Sequence, residues 1–262
     1  MADVSITLVV GIDANCFEQL KLSWRTWRLN RPEMWGWPML LFFDRDQLSY
    51  NAVVDFGSEV MRHPNFQAVS WPLPGTPREA YSSQRDLMLS GHLFVPAQCA
   101  TTEYAMKLDT DATARPHPRW LEQEWFAPDD RGRLPAWVCP RWFYTKGKQF
   151  LPILERWADG IPGIGSMPRL NIPQEPDQLR VGHARMCSWC SYFNCDFLRW
   201  AAETCWSSLS EFRLPVPSHD TVLFYLSERT KLHKKIASQK AVGWDNHPRM
   251  AVLVNAVNAI LK

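Results

Sequence analysis

Four short apolar runs, each followed by a stretch of different pattern, constrain the fold of this 262-residue chain more than any other feature. Runs of this kind are typical of strands covered on both faces, as in a parallel sheet. After the first run, apolar residues recur every three or four positions, which is the spacing of one helical face. The predicted strands span residues 5–12, 38–44, 66–71 and 103–108. Strands separated by helices predict an α/β fold with a mainly parallel central sheet flanked by helices.

The second half of the sequence is less regular, and we interpret it as an elaboration of the same domain. Neither an internal repeat nor a sharp change in composition separates it from the first half. The further predicted elements are helices from position 15, from Pro77 through Leu89, over 148–157, over 196–209 and along 250–261, strands over 136–142 and 186–193, and a loop over 161–178.

Charge and composition exclude several classes of protein. The 29 Lys and Arg residues nearly balance 27 Asp and Glu, and no run of four basic residues occurs, so we expect no nucleic acid partner. No apolar run approaches the roughly 18 residues of a membrane-spanning helix. The first residues lack the basic region and the cleavage site of a signal peptide. We therefore expect a cytoplasmic protein with no transmembrane segment, whose seven cysteines are reduced.

An Asp-x-Asp pair at the end of the fourth predicted strand is the sharpest chemical signal. Asp109 and Asp111 follow Lys107 where the chain leaves the sheet. In open α/β sheets, ligands bind beyond the carboxyl ends of the strands. Mn²⁺ and Mg²⁺ prefer carboxylate oxygen and leave coordination sites for phosphate oxygens. The pair therefore predicts a divalent-cation site, although two acids can also simply form a polar turn.

Several features in the same order resemble the GT-A class of nucleotide-sugar glycosyltransferases. The opening strand is followed by a helix with the sequence WRTW at 24–27, the second strand ends in Asp44, and a helix with SQRD at 83–86 precedes the strand that ends in Asp-x-Asp. The resemblance covers residues 5–125 well and the rest loosely. It implies a single GT-A-like (Rossmann-like) domain over 1–262, with a nucleotide-sugar-binding half at about 1–125 and an acceptor-binding half at about 126–262.

The resemblance also implies roles for individual residues on the donor side. Asp109 and Asp111 would bind the metal and the donor, and Asp44 would lie near the nucleotide base or ribose. Arg85 and Lys107 would meet the diphosphate or the base, because cationic side chains suit a diphosphate. Each of these two side chains has a plain alternative as a solvent-exposed charge.

Two further residues are candidates by the same resemblance. Asp220, in the first turn of a predicted helix, would be the general base that takes the proton of the acceptor hydroxyl. An acid at that position also suits the helix dipole without any catalytic role. His247 would complete the metal site, with Asp245 and His233 as weaker candidates, and Asp196 is a weaker candidate for the base.

The cysteines of the second half provide only weak evidence for zinc. Structural zinc sites usually combine two closely spaced Cys or His pairs. Only one such pair, Cys187 and Cys190, occurs here, with Cys195 and Cys205 at wider spacing. Buried thiols are the favoured interpretation.

The sequence therefore predicts a metal-dependent glycosyltransferase that moves a sugar from a nucleoside diphosphate sugar, with a UDP-sugar expected, to a hydroxyl of a sugar or other acceptor. Mn²⁺ or Mg²⁺ is the expected cofactor. One alternative is a non-catalytic domain of the same fold that binds a nucleotide or a glycan. Another is a phosphatase of the haloacid dehalogenase-like type, with Asp109 as the nucleophile, although that loop usually follows the first strand of its core.

Overall fold

The computed structural model describes residues 4–73, 78–81, 83–114, 121–138, 150–170, 191–208, 214–216, 219–231 and 244–245. The strands are β1 (Ile6–Ile12), β2 (Met39–Asp44), β3 (Phe66–Trp71), β4 (Tyr104–Lys107), β5 (Thr113–Ala114), β6 (Trp137–Val138), β7 (Tyr192–Asn194) and β8 (Trp244–Asp245). The α-helices are α1 (Phe17–Asn30), α2 (Tyr50–Asp55), α3 (Gln84–Cys99), α4 (Leu151–Asp159), α5 (Cys195–Ser208) and α6 (His219–Thr230). Short 3-10 turns span Pro32–Gly36, Arg78–Ala80 and Gln123–Phe126, and a π-helical turn spans Phe56–Met61.

Six of the strands form one mixed sheet in the order β3-β2-β1-β4-β7-β6. The first four strands of the chain are parallel to one another, with Val9 of β1 opposite Leu40 of β2 and Lys107 of β4. β7 and β6 then extend the sheet in the antiparallel sense. β5 and β8 form a separate antiparallel pair. The predicted α/β fold with a mainly parallel centre is confirmed, and all four predicted strands are present to within a residue at each end.

The sheet separates two apolar cores because both of its faces are covered. Leu20, Trp24 and Trp27 of α1 pack with alternate residues of β1 in one core. Leu93 and Phe94 of α3 belong to the other core. Burial of the central strands on both faces explains why their sequences are continuous apolar runs without an alternating pattern.

α3 lies unusually close to the sheet at one point, where two glycines face the ring of Phe42. A Cβ atom on Gly11 of β1 would lie 2.4 Å from this ring, and one on Gly91 of α3 would lie 2.5 Å from it. Both distances are shorter than any ordinary carbon contact, so the two glycines make room for the phenylalanine ring between helix and sheet.

The helix predicted to open at Pro77 begins later in the structure. Arg78–Ala80 forms a 3-10 turn, and α3 starts only after Ser83. The Ser83 hydroxyl accepts a hydrogen bond from the Asp86 amide at 3.1 Å, which is the contact of an N-terminal cap. A good cap therefore outweighs the proline as the start signal.

The second half agrees with the predictions in kind but with shifted bounds. α4 and α5 confirm two predicted helices, whereas the predicted strands shorten to β6 and to β7 within the described part of the chain. The short helix α2 and the π-helical turn after it were not predicted. The predicted helix along 250–261 lies outside the described residues. Among the described helices, none is long and apolar enough to cross a membrane.

Candidate functional site

The four parallel strands end at one edge of the sheet, and β1 and β4 meet at its centre. α1 follows β1 on one face of the sheet, whereas α3 precedes β4 on the other face. The loops that follow β1 and β4 therefore diverge and leave a crevice between them. In open α/β sheets such a switch point is where ligands bind.

The Asp-x-Asp pair lies in a tight turn at this crevice. The Ala112 amide donates a hydrogen bond to the Asp109 carbonyl at 3.1 Å, which closes the turn. The side chains of Asp109 and Asp111 are both partly exposed. The structure thus brings the two predicted acids together at the carboxyl end of a central strand.

Helix α1 holds this turn in place through polar contacts with its backbone. The Trp27 indole Nε1 donates to the Ala112 carbonyl at 2.8 Å. The Ala114 amide donates to the Thr26 hydroxyl at 3.0 Å, and the Asn30 side chain donates to the Ala114 carbonyl at 3.0 Å. These contacts place the two acids on a rigid support.

Lys107, predicted to meet the diphosphate or the base, lies beneath the turn instead of extending into solvent. Its side chain is only 5% exposed, and its ammonium group forms an ion pair with the Asp109 carboxylate. Its backbone amide donates to the Ser191 carbonyl at 2.8 Å, so the residue is held by the sheet on both sides. Lys107 and Asp109 are therefore one structural unit.

Asp44, predicted near the base or ribose, is fully buried and binds an arginine that the sequence analysis missed. Arg78 Nη1 lies 2.6 Å and 2.7 Å from the two carboxylate oxygens of Asp44 and 3.3 Å from Asp46 Oδ2. The hydrogen bond to Asp44 is the main cause that raises the pKa of Arg78. Asp44 thus fixes a one-third-exposed guanidinium at the end of β2. The sequence held no motif that singles out Arg78.

Polar contacts also join the loops after β1, β2 and β4. The Ala14 amide donates to Gln47 Oε1 at 3.2 Å. The Cys16 thiol contacts Asp13 and Thr110, and its pKa is raised to about 11, mainly by burial and then by Asp13. The edge of the sheet is consequently one connected surface.

Asp220, the predicted base, lies in the first turn of α6 and is 4% exposed. Its Oδ1 accepts a hydrogen bond from the Thr221 amide at 2.9 Å. The neighbouring His219 ring lies 5.3 Å from the His92 ring of α3. Burial, followed by the charge of Lys107, lowers the pKa of His92 well below its usual value. A row of contacts therefore leads from the Asp-x-Asp turn to the helix that carries Asp220.

The remaining candidates are further from the turn or lie outside the described residues. Arg85 is exposed on the first turn of α3. Asp196 is 82% exposed and paired with Arg199 on α5. Cys195 is a buried free thiol. His233, His247, Cys187 and Cys190 lie outside the described residues, and of Asp245 only the backbone is described.

The backbone of the predicted metal-ligand segment nevertheless returns to the Asp-x-Asp region. In the β5–β8 pair, Thr113 is opposite Asp245 and Ala114 is opposite Trp244. Thr113 is only two residues beyond Asp111. The late segment and the Asp-x-Asp turn are therefore neighbours in space although they are far apart in sequence.

The donor atoms at the turn fit a hard divalent cation in part. Within the described ranges, no group of three His, Cys, Asp or Glu side chains converges in the way a full protein site requires. Asp109 and Asp111 supply carboxylate oxygens, and Mg²⁺ or Mn²⁺ is often held by one or two carboxylates together with substrate phosphates. A site completed by a ligand phosphate matches this arrangement.

Comparison with solved structures identifies the fold. Core-mannan synthase A from Aspergillus fumigatus, in its Mn/GDP form, is similar with a TM-score of 0.55 and 10% identity, over 94% of this chain and 75% of that chain. The mannosyltransferase Ktr4p from S. cerevisiae is similar with a TM-score of 0.57 and 10% identity, over 93% of this chain and 70% of that one. Its complex with GDP gives a TM-score of 0.54 and 10% identity, over 93% and 71%. No protein-family model matches the sequence, and no curated protein matches it significantly.

The chain therefore has the GT-A-like α/β fold, as the sequence predicted. At 10% identity the likeness establishes the fold and leaves the chemistry to be argued from the residues of this chain. The phosphatase alternative gains no support from this fold.

Proposed function

We propose that this chain is a metal-dependent glycosyltransferase that moves a sugar from a nucleoside diphosphate sugar to a hydroxyl group of an acceptor. One observation carries the proposal: Asp109 and Asp111 form a supported turn at the switch point between β1 and β4 of a GT-A-like sheet. Ligands of open α/β sheets bind at this point, and carboxylates there suit a cation that bridges to phosphate.

On the donor side, the residues of the sheet edge would bind and orient the nucleotide. Bound Mn²⁺ or Mg²⁺ would neutralise charge on the departing diphosphate. Arg78, fixed by Asp44, presents a guanidinium beyond β2, two strands from the Asp-x-Asp turn, and Arg85 is exposed at the start of α3. UDP is the base expected from the sequence, whereas a relative of the same fold has been solved with GDP.

His247 is proposed as a third metal ligand. The β5–β8 register supports this role, because antiparallel pairing counts forward along one strand and backward along the other. Continuation of the same register would bring position 247 opposite position 111. An imidazole there would add a nitrogen ligand to the carboxylates, which Mn²⁺ accepts.

Asp220 is proposed as the base on the acceptor side. The contact of His219 with His92, which senses the charge of Lys107, supports its nearness to the donor site. A carboxylate that takes the acceptor proton must reach the hydroxyl within hydrogen-bond distance. The acceptor would therefore have to approach the buried start of α6.

The proposal is tested by thermal unfolding with UDP, GDP, CDP and ADP, each with Mn²⁺ and with EDTA. A nucleotide at about 100 times its Kd stabilises the folded chain by about 2.7 kcal/mol. For a chain of this size that corresponds to a rise in Tm of roughly 5–10 °C. We expect one nucleoside diphosphate to stabilise the chain only when Mn²⁺ is present.

Substitutions then separate an enzyme from a binding domain. Asp111→Ala should abolish the Mn²⁺-dependent shift, whereas Asp55→Ala, an exposed acid at the end of α2, should leave it unchanged. Asp220→Ala should stop nucleoside diphosphate release from the donor while sparing the shift. If Asp220→Ala retains full turnover, Asp220 is not the base. If the wild-type chain binds nucleotide without any turnover, the non-catalytic alternative holds. The absence of a shift with every nucleotide would refute the proposed function.

A further inference from the structure

The ion pair beneath the Asp-x-Asp turn distinguishes its two acids. The Lys107 side chain is 5% exposed and that of Asp109 is 26% exposed, and the two groups are in direct contact. Lys107 is the last residue of β4 and is hydrogen-bonded to strands or segments on both sides. The lysine therefore cannot move away without loss of the sheet register, and Asp109 has a fixed cationic partner from within the chain.

We propose that Lys107 is a positioning residue that holds Asp109 out of the metal's coordination shell, so that Asp111 is the carboxylate of this turn that binds the cation. The inference rests on the proposed function and concerns how the same site divides its work. Asp109, turned toward the ammonium, orients the turn.

Electrostatics supports this division of roles. Two carboxylates and one buried ammonium give the turn a net charge near −1, whereas two unpaired carboxylates would give −2. Cation affinity in oxygen-ligand sites rises with the number of charged ligands. A cation that bound Asp109 directly would also have to approach the lysine ammonium, and the repulsion between them is strong in a partly buried setting. A moderate affinity suits a site in which the ligand phosphates complete the coordination.

Direct binding of Mn²⁺, measured by the loss of the free Mn²⁺ EPR signal without nucleotide, tests the assignment. Lys107→Met keeps most of the side-chain volume and removes the charge, and we expect it to tighten Mn²⁺ binding by roughly tenfold, since it frees a second charged ligand. Lys107→Arg keeps the ion pair and should bind as the wild type does. Lys107→Met combined with Asp109→Asn removes both charges of the pair, and its affinity should stay within about threefold of the wild type. Asp111→Asn should lose at least tenfold.

The outcomes are decisive in each direction. If the paired variant loses as much Mn²⁺ affinity as Asp111→Asn, Asp109 is a direct ligand and the inference is wrong. If wild type binds no detectable Mn²⁺ but Lys107→Met does, the lysine restrains the site as proposed. No binding by either chain overturns it. Circular dichroism verifies folding, and Lys107→Gln replaces the methionine variant if that one is unfolded. The nucleotide screen is a separate measurement, so its failure would count against the proposed function alone.

Discussion

The indole Nε1 of Trp27 lies 2.8 Å from the carbonyl oxygen of Ala112, the residue that follows the second acid of the turn. Trp27 is fully buried in the core between α1 and the sheet. The hydrogen bond therefore couples the packing of a helix to the position of the candidate metal ligands.

Trp27→Phe should lower both stability and ligand response. The change removes the hydrogen bond to Ala112 and leaves a buried carbonyl with one partner fewer, at a cost of about 1–3 kcal/mol. The turn should also become more mobile, so the Mn²⁺-dependent Tm shift with nucleotide should shrink. Trp24→Phe is the matched control, because Trp24 Nε1 donates at 2.9 Å to the Met61 carbonyl, away from the site. Equal loss of ligand response in both variants would contradict the coupling.

Gly91→Ala should destabilise the fold by overpacking. The added methyl group would lie 2.5 Å from the Phe42 ring, and displacement of a packed ring costs about 1–3 kcal/mol. Gly36→Ala, at a site with no atom within 4 Å of the new Cβ, should change the free energy of unfolding little. Phe42→Leu in the Gly91→Ala background should recover part of the loss. Urea unfolding measures all three, and a neutral Gly91→Ala would show that helix and sheet separate easily.

Arg229→Met should be strongly destabilising because it leaves a nearly buried acid without its partner. The Arg229 side chain is fully buried and pairs with Glu155 of α4, while its Nη2 donates to the Met167 carbonyl at 3.0 Å. Removal of one member of such a pair costs about 3–5 kcal/mol. Arg169→Met is the control, since Arg169 is 66% exposed and its pair with Asp159 contributes at most about 1 kcal/mol. Similar denaturation midpoints for the two variants would disprove this ranking.

His63 should make the chain less stable in mild acid. Its buried ring accepts a hydrogen bond from the Asn65 amide at 3.3 Å, and burial lowers its pKa below the ordinary 6.5. The unfolded chain therefore binds more protons than the folded chain just below pH 6.5, and stability falls as the pH drops through that value. His63→Phe should reduce the slope of Tm against pH between about pH 7.5 and about pH 5. His92 contributes equally in both chains, so an unchanged slope would mean that His63 does not titrate on unfolding.

The central strands and the Asp-x-Asp turn were predictable from the sequence because their signals are local. A strand buried on both faces is a continuous apolar run, and an acid pair directly after such a run lies at the edge of the sheet whatever the rest of the chain does. β6 and β7 were harder to place, since they are short and take their position from pairing with β4 rather than from their own sequences.

The neighbours of the turn were not predictable because they depend on contacts between distant segments. Nothing near Arg78 indicates that it binds Asp44, 34 positions earlier. Lys107 looked like a residue open to the diphosphate, and only the pleat of β4 shows that its side chain lies beneath Asp109. The contact of His92 with His219 likewise requires α3 and α6 to pack on the same face of the sheet.

The antiparallel addition of β7 to β4 has a consequence for any attempt to isolate the nucleotide-binding half. Tyr104, Ala105 and Met106 are paired with residues of β7, and all three are buried. A fragment that ended near residue 125 would expose β4 as a flat, apolar edge strand, and unprotected edges of this kind pair with other chains. Such a fragment should aggregate when expressed alone, and adding the strand back as a peptide should restore its solubility.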